Sequence, residues 1–452
     1  KGDQGDKGND AASILFKTTE VDGGPDQQCR TGGTLLESGA DANDNGQLDP
    51  DEVTDSSLIC EGSSRPKNMI ASMSAGEMIS FEGKILVSTM VASNGIGREL
   101  YLYDPANRSL SLIKDIFPGI TSSSPGSFVR SGDKVYFYAR TIAGTGLFVT
   151  DGTSEGTIKL HEPVRTIKGT VLGSRYLFSC SFSSYDYELC STEGTPETTY
   201  LVKDIYSGTT SSSINYFTSV GSGDDVKVYF RARGFEAAAD GSYYNSGYAL
   251  WETDGTAEGT KITLETIAGS GSDSIYDIGT NGSDVFVRGR FDSIIGGTNL
   301  FRVNFDTLTY EYVDIDPDLD DDQVTSIVGF GDKILIDTIF PGSGREIGVL
   351  GTDLEPALLI DYSSGPVGTS IVKRNQDSAN SLYFYLMQAD EYANSYNLVG
   401  TDGTVAGTRT VAVDIISVSA SQFVQIGDDL YYFDYNSDFG SGLYSIDLTA
   451  SP

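Results

Sequence analysis

Leu250-Trp251-Glu252-Thr253-Asp254-Gly255-Thr256-Ala257-Glu258-Gly259-Thr260 is the stretch from which the rest of the chain can be read. Its loop portion returns as Thr150 to Thr157 (TDGTSEGT) and Thr401 to Thr408 (TDGTVAGT), and in weaker form as Thr192 to Thr199 (TEGTPETT). Each copy follows a short apolar run, such as Leu147-Phe148-Val149 or Glu188-Leu189-Cys190, and leads into another, such as Tyr200-Leu201-Val202. Two antiparallel strands joined by a tight loop produce that pattern. Asp-Gly supplies positive-φ turn positions, and the threonines bond backbone groups inside the loop. Asp151, Gly152, Asp254, Gly255, Asp402 and Gly403 therefore read as structural turn residues.

A second regularity runs from about residue 67 to 450. A Gly/Asp/Asn turn followed by an aromatic or aliphatic strand appears eight times, beginning near Gly83, Gly132, Gly173, Asp224, Gly282, Gly331, Asn380 and Gly427. Between these starts, 40 to 60 residues apart, sit the TDGT strand and a fourth strand ending in Asp-Ile, as in Lys114-Asp115-Ile116 and Lys203-Asp204-Ile205. Four short strands per unit, repeated eight times, predict an all-β, eight-bladed β-propeller. Seven blades is the fallback, and a flat β-solenoid the alternative architecture. The last unit has only three strands, and Met69-Ile70-Ala71-Ser72 is placed to supply the fourth and close the ring.

This region resembles bacterial secreted proteins with repeated ELWxTDGTxxGT motifs, which are taken to be propellers. The likeness is clearest around Asp151, Asp254 and Asp402, and faint around 304–310 and 351–358. The family offers no catalytic residues to carry over.

Gly at 2, 5 and 8 gives residues 1–11 a Gly-x-y register, the mark of a collagen triple helix, since only Gly fits at the axis of three wound chains. A flexible linker is the plain alternative. The stalk reading makes the protein a homotrimer at this end, and the lack of a starting Met reads as part of a longer precursor. Residues 12–64 form a separate small unit that Cys29 and Cys60 would staple. Between them Asp41, Asn43, Asn45, Gln47 (through its carbonyl), Asp49 and Glu52 fall at the ligand positions of an EF-hand-type calcium loop, with Gly46 at the turn. A solvated Asn/Asp/Gly loop is the competing account. The flanks look like strands, so a static calcium clip is expected and not a sensor. The unit resembles small bacterial surface domains that follow collagen-like stalks.

The 452 residues carry a formal charge of −34, which repels nucleic acid and anionic membranes. No apolar run approaches the ~18 residues of a membrane helix. Cys29/Cys60 and Cys180/Cys190 suit two disulfides in an oxidising, extracellular setting; with one histidine and no CxxC, metal ligation is the weaker reading. That histidine, His161, has no nucleophile motif beside it and reads as packed or surface. Asp314 to Asp322 is either a second calcium loop or a solvated linker. Trp251, at an outer-strand position, reads as packing more than as a sugar platform, and the loops at Tyr243-Tyr244-Asn245 and Tyr392 to Tyr396 suit glycan or protein contacts.

These features together lead us to expect an extracellular bacterial surface protein with a structural or adhesive role. It would be a filament subunit or a stalk-displayed propeller binding a surface, glycan or protein. The alternative is a propeller glycoside hydrolase or polysaccharide lyase using two carboxylates at the central channel.

Overall fold

The computed structural model describes residues 14–21, 33–40, 49–60, 68–72, 74, 76–91, 95–165, 168–182, 186–221, 223–237, 243–264, 274–291, 295–315, 324–340, 342–351, 354–362, 370–376, 383–388, 396–415, 423–436 and 440–448. The chain divides into two units, Lys1–Pro66 with Ala450–Pro452, and Lys67–Thr449.

In the smaller unit, strands Ile14–Val21, Gly33–Ala40 and Val53–Cys60 form an antiparallel sheet in chain order. Pairs such as Ile14↔Ala40 and Gly33↔Cys60 set its register. Strands, not helices, therefore flank the segment between Ala40 and Val53.

The larger unit is an eight-bladed β-propeller. Eight four-stranded antiparallel meanders follow one another: blade 1 at 78–114, blade 2 at 126–161, blade 3 at 170–203, blade 4 at 215–264, blade 5 at 274–313, blade 6 at 326–360 and blade 7 at 370–415. Blade 8 takes three strands from 423–447 and its outermost one from Asn68–Ser72, which pairs with Gly440–Asp447 through Leu443↔Ala71 and Tyr444↔Met69. Closing the ring with an early strand ties the two ends of the propeller chain together within one sheet.

The core lies between the sheets. Each seam is filled from both sides: Phe81, Leu86 and Leu100 of blade 1 meet Phe128, Val135 and Phe137 of blade 2. The final seam packs Leu430, Tyr432 and Tyr444 of blade 8 with Phe384 of blade 7 and Ile85, Tyr101 and Tyr103 of blade 1. Aromatic residues of the second strands span these seams, as where Tyr136 stacks on Tyr176 at 4.5 Å. The repeated tyrosine and phenylalanine of the sequence pattern are thus the blade-to-blade glue, each contributing roughly 2–3 kcal/mol on burial.

Two sequence expectations need adjustment. The TDGT connections are seven-residue loops, and in each only the first glycine takes positive φ (Gly152 85°, Gly255 85°, Gly403 79°) while the aspartate does not. Strands Ser109–Lys114 and Tyr200–Lys203 also stop before the Asp-Ile pair, whereas Arg409–Ile415 ends in Asp414-Ile415 as the pattern expects. The amides of Ile116 and Ile205 are taken by carboxylates instead of by a neighbouring strand.

Candidate functional site

Because every blade is a meander, its first turn and its third-to-fourth connection lie at one end of the strands. The second-to-third hairpin and the linker to the next blade lie at the other. We call these the loop end and the linker end.

At the loop end the motif builds the same network three times. In Thr253–Thr260, Asp254 Oδ1 accepts from Thr256 N at 2.9 Å and from the Thr256 hydroxyl at 2.7 Å. Thr256 Oγ1 then accepts from Gly259 N at 2.9 Å, and Gly255 N donates to Thr253 Oγ1 at 3.0 Å. Thr260 donates its proton to Thr256 O at 2.6 Å, so across the 2.7 Å contact between the two hydroxyls Thr253 must be the donor. Asp151 and Asp402 repeat these contacts with Thr153 and Thr404. In all three loops the threonine bonds hold the aspartate carboxyl below its ordinary range.

Each loop also rests on the preceding blade. A Cβ on Gly152 would stand 3.1 Å from Phe81, and one on Gly255 would stand 2.9 Å from Arg175 Nη1. Lys114 of blade 1 reaches Ser154 O and Thr157 O of blade 2, and Lys203 of blade 3 reaches Ala257 O and Thr260 O of blade 4. The loops are seam latches, and their polar groups are used within the fold.

The linker end is held by buried glutamates that begin third strands. Glu99 accepts from the amides of Ile116, Phe117 and Ser123, and Glu188 from those of Ile205, Tyr206 and Ser212. Both are essentially unexposed, and burial pushes both carboxyls up against the pull of those amides. Sequence reading missed this role. Its signal is a charge at the start of an otherwise apolar strand, as in Glu99-Leu100, Glu188-Leu189 and Glu346-Ile347.

Between blades 1 and 2 the linker end opens into a polar cleft of about 370 Å³ lined by Glu77, Ser124, Ser127, Tyr138 and Arg140, among others. Glu77 is its carboxylate, and it accepts from Ser127 N across the seam. A second cavity, of about 360 Å³, lies at the loop end of blades 4–6 and is lined by Phe217, Ile278, Ile327 and Gly329 with no acidic side chain.

Residues 14–60 match the family model described as "Domain of unknown function (DUF7151)". No curated protein matches the chain. Among solved structures it is similar to prolyl oligopeptidase B from Galerina marginata, at TM-score 0.50 and 12% identity over 86% of this chain and 57% of that one. It is also similar to a structure from a study of two prolyl endopeptidases (TM-score 0.50, 12% identity, 83% and 54% covered) and to puromycin hydrolase (TM-score 0.44, 11% identity, 81% and 60% covered). The chain thus spans between half and two thirds of the length of these proteins. At such identity the likeness speaks for the propeller fold alone.

The remaining sequence candidates are distributed as follows. Cys180 and Cys190 form a disulfide with Cα atoms 5.8 Å apart, bridging the second and third strands of blade 3. Cys29 and the calcium-loop positions Asp41, Asn43, Asn45 and Gln47 lie outside the described residues, as do the segments 1–11, 316–323 and 391–395. Of the loop's final turn, Glu52 is buried, its amide donates to Asp49 O at 3.0 Å, and its Oε2 accepts from Asp49 N at 3.1 Å. His161 contacts Ser181 O at 2.8 Å through Nε2 and packs on Phe182. Trp251 is buried on the third strand of blade 4 against Phe230.

Proposed function

We propose that the chain is part of an extracellular bacterial surface protein whose propeller is a binding module, displayed from a calcium-clipped N-terminal unit and a trimeric collagen-like stalk. One observation carries this reading. Met90, Ile120, Ile142 and Phe182 keep large apolar side chains in water, and all four lie on hairpins or linkers at the linker end of blades 1–3. Exposed apolar groups on three neighbouring blades offer a surface that a partner can cover, while the described loop end exposes Phe305, Leu308 and Val405 on the separate blades 5 and 7.

The division of labour between the two ends supports it. The loop end repeats one latch, whereas the linker-end hairpins vary from the two-residue turn between Thr141 and Gly144 to the long strands Lys227–Ala237 and Tyr243–Thr253. Variable connections on a rigid scaffold are where ligand contacts are built. The acidic surface, the disulfide and the Gly-x-y segment favour an extracellular adhesive or filament role over an intracellular one.

The test exposes the full chain to a panel of polysaccharides and bacterial surfaces, and measures retention and release of reducing ends together. Retention without release, lost in Ile142→Asp and Phe182→Asp, is the expected result. Release of reducing ends or unsaturated products would replace this reading with the carboxylate-based hydrolase or lyase. Light scattering with calcium and then a chelator tests the stalk and clip: a trimer that loosens on chelation is expected.

A further inference from the structure

We propose that Asp186, Glu188 and Asp204, at the linker end of blade 3, bind a divalent cation of the calcium class. One carboxylate oxygen from each of the three lies within 4.8 Å of the others. Calcium–oxygen distances of about 2.3–2.6 Å allow two ligands on opposite sides of one ion to stand roughly 5 Å apart, so a single ion fits among them. The donors are all oxygen and carry three negative charges, which selects a hard cation over a transition metal.

The independent pointer is Asp186. It is 8% exposed, and its Oδ1 is buried without a hydrogen-bond partner. A buried carboxylate oxygen facing neither donor nor cation is strongly disfavoured. No described basic side chain forms an ion pair with any of the three acids. The guanidiniums of Arg165 and Arg233 lie instead over the rings of Tyr187, at 4.8 Å, and Tyr206, at 5.6 Å. Asp204 is exposed, which leaves an ion a way in.

Blade 1 supplies an internal control. Glu99 makes the same amide contacts as Glu188, and Asp115 stands at the place of Asp204. Gly97 occupies the place of Asp186, and its amide donates to Gly119 O at 3.1 Å. Relative to blade 1, where Asp115 Oδ1 is also buried without a hydrogen-bond partner, blade 3 adds a third carboxylate that completes a three-acid cluster. An ion there would tie the second-to-third hairpin, through Asp186, to the linker into blade 4, through Asp204. It would lie beside the Cys180–Cys190 bridge of the same hairpin.

This site is independent of the proposed function, and its test keeps the two apart. The full chain carrying Asp41→Asn and Glu52→Gln, which removes the N-terminal loop from the reading, is followed by hydrogen exchange in calcium alone and in magnesium alone. Calcium should slow exchange of the Ile205, Tyr206 and Ser212 amides at least several-fold, with blade 6 unchanged. Asp186→Asn and, separately, Asp204→Asn should each abolish that protection. Absence of a calcium effect, an undiminished effect in both variants, or equal protection by magnesium overturns the proposal.

Discussion

The loops Thr253–Thr260 and Thr192–Thr199 occupy the same place in neighbouring blades and solve one problem differently. Both keep the threonine frame: Gly194 N donates to Thr192 Oγ1 at 3.1 Å, and Thr199 donates to Thr192 Oγ1 at 2.8 Å. They differ in how the amide of the fourth residue is satisfied. In the first loop the Asp254 carboxylate accepts from Thr256 N. In the second, Thr198 Oγ1 accepts from Thr195 N and Glu193 N, both at 3.2 Å, and a short 3-10 turn Pro196–Thr198 with a capping box results. The Asp254 carboxylate occupies the space a seventh-position side chain would need, since a Cβ on Gly259 would fall 2.1 Å from Asp254 Oδ1. Asp at the second position and Gly at the seventh are one feature, and the chain abandons them together as Glu193 and Thr198.

The largest expected effect follows from that exclusion. Gly259→Ala should cost about 2–4 kcal/mol in urea unfolding, because a loop packed against the preceding blade has little room to relax. In an Asp254→Ala background the same substitution should cost less than half as much, which a double-mutant cycle would read as coupling of roughly 1–2 kcal/mol. Strict additivity would break the comparison. Thr198→Ala should cost about 1 kcal/mol, since it removes the acceptor of two loop amides that water can partly replace.

A pH series sharpens the contrast. The folded Asp254 carboxyl is held below its unfolded value, chiefly by the Thr256 hydroxyl and amide. Its contribution is therefore present above the unfolded value of about 3.9 and lost as pH falls through the lower folded one. Asp254→Asn should flatten the fall in stability below about pH 4, with Asp151→Asn and Asp402→Asn behaving alike. The smallest effect belongs to Glu193→Ala. Its contact with Arg175, at 3.6 Å, is between largely solvent-exposed groups, so unfolding should shift by less than about 0.5 kcal/mol.

Legibility followed the range of the interaction. The eight second strands, the TDGT loops and the closing strand at Asn68–Ser72 could be read in advance, because periodic apolar residues and turn glycines act over a few neighbouring positions. Lys114-Asp115-Ile116 was read as strand because its alternation is right. Only the folded ring brings Glu99 to the amide of Ile116 from 17 residues away.

The sequence by itself determined an all-β chain of eight four-stranded repeats, the turn chemistry of each loop and the strand that closes the ring. All of these rest on backbone preferences and on the alternation of burial along single strands. Tertiary structure alone decided that Lys114 and Lys203 latch neighbouring blades, that glutamates cap the linkers, and that Asp186 joins Glu188 and Asp204. A carboxylate's energy depends on which dipoles and charges converge on it after burial, and these come from segments that meet only once the blades have packed.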